Sequence, residues 1–310
     1  MNFAFFFPGQ GSQSLNMMAG FDDMAVVKNT FVEAGDALSQ DLWAMMNTDA
    51  QAINDTINTQ PLMLAAGVAT WRAYQALGGR TPAALAGHSL GEYSALVAAG
   101  SLDFADAVRL VRLRAQLMQE AVPQGAGAMA AILGLEDDAV RAVCAAAEAE
   151  LNGEVAEAVN FNSPGQVVIA GSAAAIARAA ELAKAAGAKR ALPLPVSVPS
   201  HCRLMQPAAA KLAAALQDTA FRQPEIRVIH NADVAAYTDI AQIKDALVRQ
   251  LYSPVRWTET VALLVQEGIT ESAECGPGKV LAGLAKRIDK SASCTALTSQ
   301  EHIQAFIDTH

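Results

Sequence analysis

Gly87-His88-Ser89-Leu90-Gly91 has the residue types and spacing of a nucleophile elbow, a serine at the apex of a sharp turn between a strand and a helix. Ala83 to Ala86 is a short apolar run after the breaker Gly78-Gly79-Arg80-Thr81-Pro82, and Leu90 to Ala99 is rich in helix formers and stops at Gly100. A backbone that doubles back so tightly needs glycine on either side of the serine. The helix then begins with N–H groups that no preceding turn satisfies, Leu90 closest, and these suit a developing oxyanion. A chain rich in Gly and Ala also yields this pentapeptide by chance, and it is the flanking strand and helix that favour acyl chemistry at Ser89.

A serine nucleophile needs a base. Among the five histidines, His302 and His310 lie in the tail, His230 ends a strand expected at Ile226 to Ile229, and His88 precedes the serine. His201 follows Pro195-Val196-Ser197-Val198-Pro199-Ser200 and stands at a loop-to-helix junction, from which a ring can be aimed. Histidines in loops are often merely solvated, so position alone leaves it a candidate. Arg114 is the other residue of note. Its neighbours at three and four residues are Leu110, Val111, Leu117 and Met118, so its stem rises from the apolar face of a helix over Phe104 to Ala121. A guanidinium there stays charged, and its planar fork matches a carboxylate. Helix geometry leaves open whether that carboxylate is an internal Asp or Glu or belongs to a substrate.

The elements that must hold these residues read as an alternating α/β chain. With 310 residues, 52% hydrophobic and 17% charged, the chain can bury a large core, and its net charge of -9 argues against nucleic acid as a partner. Met1 to Phe7 carries no basic residue and breaks at Pro8, so it reads as a buried first strand rather than a signal peptide or membrane span, and a cytoplasmic protein is expected. Cys144, Cys202, Cys275 and Cys294 have neither metal nor redox spacing and read as reduced thiols. No heptads or metal-ligand clusters are present, and a monomer is expected.

Helical patterns cover irregular stretches from Met17 to Gln60 and one largely buried stretch from Gln60 to Leu77. At Pro123-Gln124-Gly125-Ala126-Gly127 the character changes. Strands at Met129 to Leu133, Val155 to Phe161, Gln166 to Ala170 and Ala188 to Leu194 alternate with helices at Glu136 to Glu150 and Ser172 to Ala186. This βαββαβ order is ferredoxin-like, which divides the chain into a main body of 1–124 and 196–310 and an inserted subdomain of 125–195. A cleft between the two is expected. Farther on, helices are expected at Ile240 to Leu251, Trp257 to Glu267 and Val280 to Ile288, with a strand at Thr270 to Glu274 and a tight turn at Gly276-Pro277-Gly278.

Taken in order, Gly9-Gln10-Gly11-Ser12-Gln13, Gly87-His88-Ser89-Leu90-Gly91-Glu92, Arg114-Ala115-Gln116-Leu117-Met118-Gln119, Asn160-Phe161-Asn162-Ser163-Pro164-Gly165-Gln166, Pro199-Ser200-His201 and Gly276-Pro277-Gly278-Lys279 resemble the malonyl-CoA:acyl carrier protein transacylase family of bacterial fatty acid synthesis. The resemblance spans nearly the whole chain. It implies an α/β-hydrolase-like main body carrying a ferredoxin-like subdomain, and a ping-pong malonyl transfer from malonyl-CoA to an acyl carrier protein with no cofactor or metal. It further implies Ser89 as nucleophile, His201 as base and Arg114 as ligand of the malonate carboxylate. The oxyanion hole would be formed by the N–H groups of Gln10 and Leu90, and the main-chain carbonyl of Gln250 would orient the histidine. Two positions depart from the pattern: Ala115 stands where many relatives have Gly, and His230 where they have Asn. Transfer to a polyketide or malonate decarboxylase carrier would use the same residues, and a serine thioesterase would share Ser89 and His201 but have no use for a buried Arg114. Lys189, Arg190, Lys286 and Arg287 are the candidate contacts for an acidic carrier, as they cluster in sequence.

Overall fold

The computed structural model describes residues 2–196 and 198–310. Strand β1 (Phe3–Phe7) is buried along its whole length. Phe3, Phe5 and Phe7 join the core on one side of the sheet, and Ala4 and Phe6 the core on the other, as the period of two requires. A strand that is apolar on both faces belongs in the middle of a parallel sheet covered by helices. Helices α1 (Ala25–Leu38), α2 (Leu42–Thr48) and α3 (Thr56–Ala76) lead to β2 (Ala84–Gly87), the elbow, α4 (Gly91–Ala98) and α5 (Phe104–Glu120). The buried helix α3 starts at Thr56 rather than at Gln60, because Asp55 caps it by accepting from Ile57 N and Pro61 is accommodated inside it.

The next stretch forms β3 (Gly127–Leu133), α6 (Asp137–Glu150), β4 (Ala156–Ser163), β5 (Gln166–Ser172), α7 (Ala173–Ala185) and β6 (Arg190–Pro193). Its sheet has the order β4-β5-β3-β6 with every neighbour antiparallel, the ferredoxin-like arrangement, and packs with α6 and α7 around a core of its own. The chain then returns through α8 (Gln206–Asp218), β7 (Val228–His230), β8 (Ala235–Ala236), α9 (Ile240–Gln250), α10 (Trp257–Gln266), β9 (Glu271–Glu274), α11 (Val280–Ile288), β10 (Ser293–Ala296) and α12 (Gln300–Thr309). The large sheet runs β10-β9-β1-β2-β7-β8, parallel except for the last pair. The short antiparallel β8 carries too little pattern to be foreseen.

Two consequences position a site. Phe7 pairs with Gly87, so the loops after β1 and β2 leave the sheet side by side at its carboxyl edge, the usual place for a site in such sheets. The small sheet is also stapled to the main body away from its chain connections. Val255 N donates to Val159 O (2.8 Å), Phe161 N to Val255 O (3.0 Å), and Thr258 Oγ1 to Phe161 O (3.0 Å). Among the described residues the cysteines are unpaired, and no helix is long and apolar enough to cross a membrane.

Candidate active site

The elbow is held by backbone contact. A Cβ on Gly87 would lie 1.9 Å from Gly91 C, and one on Gly91 would lie 2.0 Å from Phe7 O, so both positions exclude any side chain. Ser89 itself has φ of 52°, a left-handed conformation that costs a non-glycine residue of order 1–3 kcal/mol and occurs where the surroundings enforce it. Here Asn231 does so: its Oδ1 accepts from Ser89 N (2.7 Å) and its Nδ2 donates to Gly87 O (2.6 Å). Of the elbow's other amides, Gly91 N donates to His88 O and Glu92 N to Ser89 O. That leaves Leu90 N, beside the cleft that Leu90 lines. The Gly9-Gln10 loop lies directly against this backbone, since a Cβ on Gly9 would be 2.5 Å from His88 O and 3.8 Å from Leu90 N.

Ser89 Oγ is 2.7 Å from His201 Nε2, and His201 Nδ1 is 2.7 Å from the main-chain oxygen of Gln250. A carbonyl can only accept, so Nδ1 carries the hydrogen and Nε2 is free to take the serine's proton. Among the described residues the partner behind the imidazole is this carbonyl and not a carboxylate. The ring is 2% exposed, and burial, reinforced by the Arg114 guanidinium, drives its pKa down to about 3, so it is neutral and basic in form at ordinary pH.

Arg114 lies in the same cluster. It is 1% exposed, and its partners are Gln60 Oε1 (2.8 Å), Gln250 Oε1 (2.9 Å) and Ser89 Oγ (3.3 Å), with the Tyr93 ring 5.6 Å away. Among the described residues it has no ion pair with Asp or Glu, and burial lowers its pKa. The choice left open by helix geometry therefore falls against an internal salt bridge: the guanidinium is held by neutral oxygens and reaches Ser89 Oγ. Ala115, beside it on the helix, is fully buried.

The cleft is lined by both bodies, Gln10, Gln60 and Met118 on one side and Met129, Asn160 and Leu194 on the other. His88, whose pKa desolvation lowers, spans the boundary: its Nε2 lies 2.8 Å from Asn162 Oδ1. His230 is buried beside Glu92, its Nδ1 2.6 Å from Glu92 Oε1. The basic residues converge from both bodies. Lys189, Arg190, Lys286 and Arg287 are exposed, and Arg287 donates to Gln166 Oε1 (2.7 Å). Gln166 pairs with Leu133 and Leu133 with Arg190, so Arg190 lies about 10 Å from Gln166, two strand spacings across the small sheet.

Gln60, Asn231 and the Gln250 side chain carried no warning in the sequence, being single amides without a motif of their own, and Asn162 stood inside a quoted motif without an assigned task. Glu92 stood inside the elbow motif without an assigned task.

The sequence profile of the acyl transferase domain family matches residues 4–297. The chain is 54% identical over 307 residues to a malonyl CoA-acyl carrier protein transacylase of Salmonella typhimurium, covering 98% of each. Among solved structures it is similar to an acyl carrier protein S-malonyltransferase of Vibrio cholerae, at 56% identity, TM-score 0.96 and coverage of 99% and 100%. A malonyl-transacylase in complex with a type II polyketide acyl carrier protein superposes with TM-score 0.98 at 50% identity, covering 100% of both chains.

Proposed function

Because the chain belongs to the acyl transferase family of malonyl-CoA:acyl carrier protein transacylases, we propose that it carries malonyl from coenzyme A to the phosphopantetheine thiol of an acyl carrier protein through an ester on Ser89. In the first half-reaction Ser89 Oγ attacks the thioester carbonyl as His201 Nε2 takes its proton, and the N–H groups of Gln10 and Leu90 hold the oxyanion. Collapse expels the coenzyme A sulfur, which recovers the proton from His201. A thiol of pKa about 8.5 needs little acid assistance, so a histidine oriented by a carbonyl suffices. The carrier's thiol then gives its proton to His201 and attacks the malonyl ester, and Ser89 leaves with that proton. One thioester is consumed and one is made.

The observation that carries this reading is the unneutralised Arg114 guanidinium 3.3 Å from Ser89 Oγ. The malonyl carboxyl carbon lies two carbon–carbon bonds, at most about 3 Å, beyond the carbonyl under attack. The terminal carboxylate of a short acyl group on Ser89 is therefore within reach of the guanidinium, whereas a simple esterase would have no use for the buried charge. Brief mixing with malonyl-CoA, then carrier, followed by intact mass, tests it: an adduct on wild type that is absent from Ser89→Ala and moves to the carrier is expected, and an adduct lost to water at the same rate with or without carrier would refute transfer.

The polyketide complex keeps a second carrier in view, and kcat/KM for carriers of the two systems decides between them. Docking of an acidic carrier onto an acidic chain needs local positive charge, which Arg190 of the small subdomain and Arg287 of the main body would supply from either side of Gln166. Reversal of Lys286 and Arg287 to Glu is expected to raise the apparent KM for the carrier by about tenfold, the scale of two rim charges, with that for malonyl-CoA unchanged. An unchanged carrier KM would dismiss this face.

A further inference from the structure

Glu92 and His230 are buried titratable groups that the reaction above does not use. The Glu92 carboxylate, in the first turn of α4, accepts from His230 Nδ1 (2.6 Å) on one oxygen, and from Asn231 N (3.0 Å) and Gln250 Nε2 (2.9 Å) on the other. Gln250 is the pivot of the site. Its Nε2 also donates to Ser89 O (2.9 Å), its Oε1 accepts from Arg114, and its main-chain oxygen accepts from His201. Turned over, the carboxamide would set its oxygen against a carboxylate and a carbonyl and its N–H groups against a guanidinium, so its neighbours permit one orientation.

We propose that Glu92, braced from behind by His230, is a positioning residue that fixes the Gln250 carboxamide and so presents the Arg114 guanidinium as an oriented fork for the substrate carboxylate. This rests on the reading of Arg114 as the malonyl clamp. The Gln250 main chain belongs to α9 and keeps its place when the side chain is freed, so His201 retains its acceptor. Arg114, in contrast, loses a fixed partner. Weakening Glu92 therefore acts on the choice of acyl group more than on proton transfer. An asparagine at 230 can brace Glu92 in the same way, because its amide nitrogen, like the histidine's Nδ1, is bonded to Cγ; the departure from the family pattern at His230 preserves the contact.

The test is the rate of Ser89 acylation by malonyl-CoA and by acetyl-CoA, read by intact mass. Glu92→Asp keeps the charge but withdraws the oxygens by one carbon–carbon bond, about 1.5 Å. It is expected to lower the malonyl-to-acetyl ratio about tenfold, the scale of one net hydrogen bond, the acetyl rate falling by less than the malonyl rate. Glu92→Gln keeps the reach, since its oxygen can face Gln250 while its amide meets the other tautomer of His230, and the ratio should stay near that of wild type. His230→Ala removes the brace without touching Gln250 and should lower the ratio about threefold, with His230→Asn restoring it. Should Glu92→Asp and His230→Ala lower only the Tm and leave the ratio alone, the role is structural and the proposal falls; it falls equally if Glu92→Gln loses as much as Glu92→Asp, for then charge and not placement matters. A wild type that takes up no malonyl would overturn the clamp reading itself, a different failure from an adduct whose selectivity ignores Glu92.

Discussion

His201→Ala is expected to slow malonylation of Ser89 by 10^3- to 10^4-fold, toward the upper end of what a positioned base contributes, on the order of 10^2 to 10^4. The high value follows from the geometry: Nε2 lies 2.7 Å from Oγ, the Gln250 carbonyl 2.7 Å from Nδ1 fixes the tautomer, and among the described residues the other side-chain partner of Oγ is Arg114, which is no base. Under the proposed mechanism the loss should appear in both half-reactions, since the same ring would handle the serine proton in one and the carrier's thiol proton in the other. A variant that retains more than about a tenth of the wild-type rate would dismiss His201 as base.

The same ring sets the pH dependence. Burial and Arg114 lower its pKa to about 3, so the reactive neutral form persists far below the usual histidine range near 6.5. The rate of acylation should then lack an inflection between about pH 6 and 7 and decline only under strongly acid conditions. The sign for stability is opposite in sense to that of an ion-paired histidine. Between about 6.5 and about 3 the unfolded chain accepts a proton that the folded chain refuses, so His201 contributes a loss of stability as pH falls through that window. Acylation rates and urea midpoints across the window measure both; an acid limb near 6.5 in the rate would contradict the burial argument.

The local parts of this site were legible because they are written in adjacent residues. Gly87 and Gly91 announce a turn in which no Cβ fits, and Arg114 announces itself by its four apolar neighbours on α5. The βαββαβ order of the insert was legible for the same reason, each strand and helix carrying its own period. What stayed hidden is set by distance along the chain. Asn231 locks the elbow from 142 residues away, and Gln60 grips the guanidinium from α3 across 54. A lone amide has no periodicity and no spacing rule, and its value depends wholly on which donors the fold places around it. The staple of Val255 to β4 is invisible for a related reason, as backbone pairing leaves no mark on side-chain type. Conversely, His230 could be noticed as unusual but not placed, because a strand-end histidine has meaning only once Glu92 is known to lie opposite.

Arg114→Ala is expected to cut malonyl acylation by about 10^3-fold, near 4 kcal/mol, while acetyl acylation falls less than about tenfold. In the free enzyme the guanidinium is desolvated and held by the oxygens of Gln60 and Gln250, neither of which neutralises it. On the proposed reading a malonate carboxylate would supply the missing charge at the guanidinium, which would compensate its removal from water. Without the arginine, a malonyl group would bury a carboxylate with no counter-charge, whereas an acetyl group asks nothing of that end of the cleft. The expected outcome is thus a change of preference and not a uniform loss. Arg114→Lys separates charge from shape. An ammonium is a point charge that cannot span Gln60 and Gln250 together, so it should recover part of the malonyl rate and remain well below the arginine. Intact-mass acylation with both donors measures the ratio directly. Equal losses for malonyl and acetyl in Arg114→Ala would mean that the residue supports the elbow as a whole, and the assignment of the fork to the substrate carboxylate would fail.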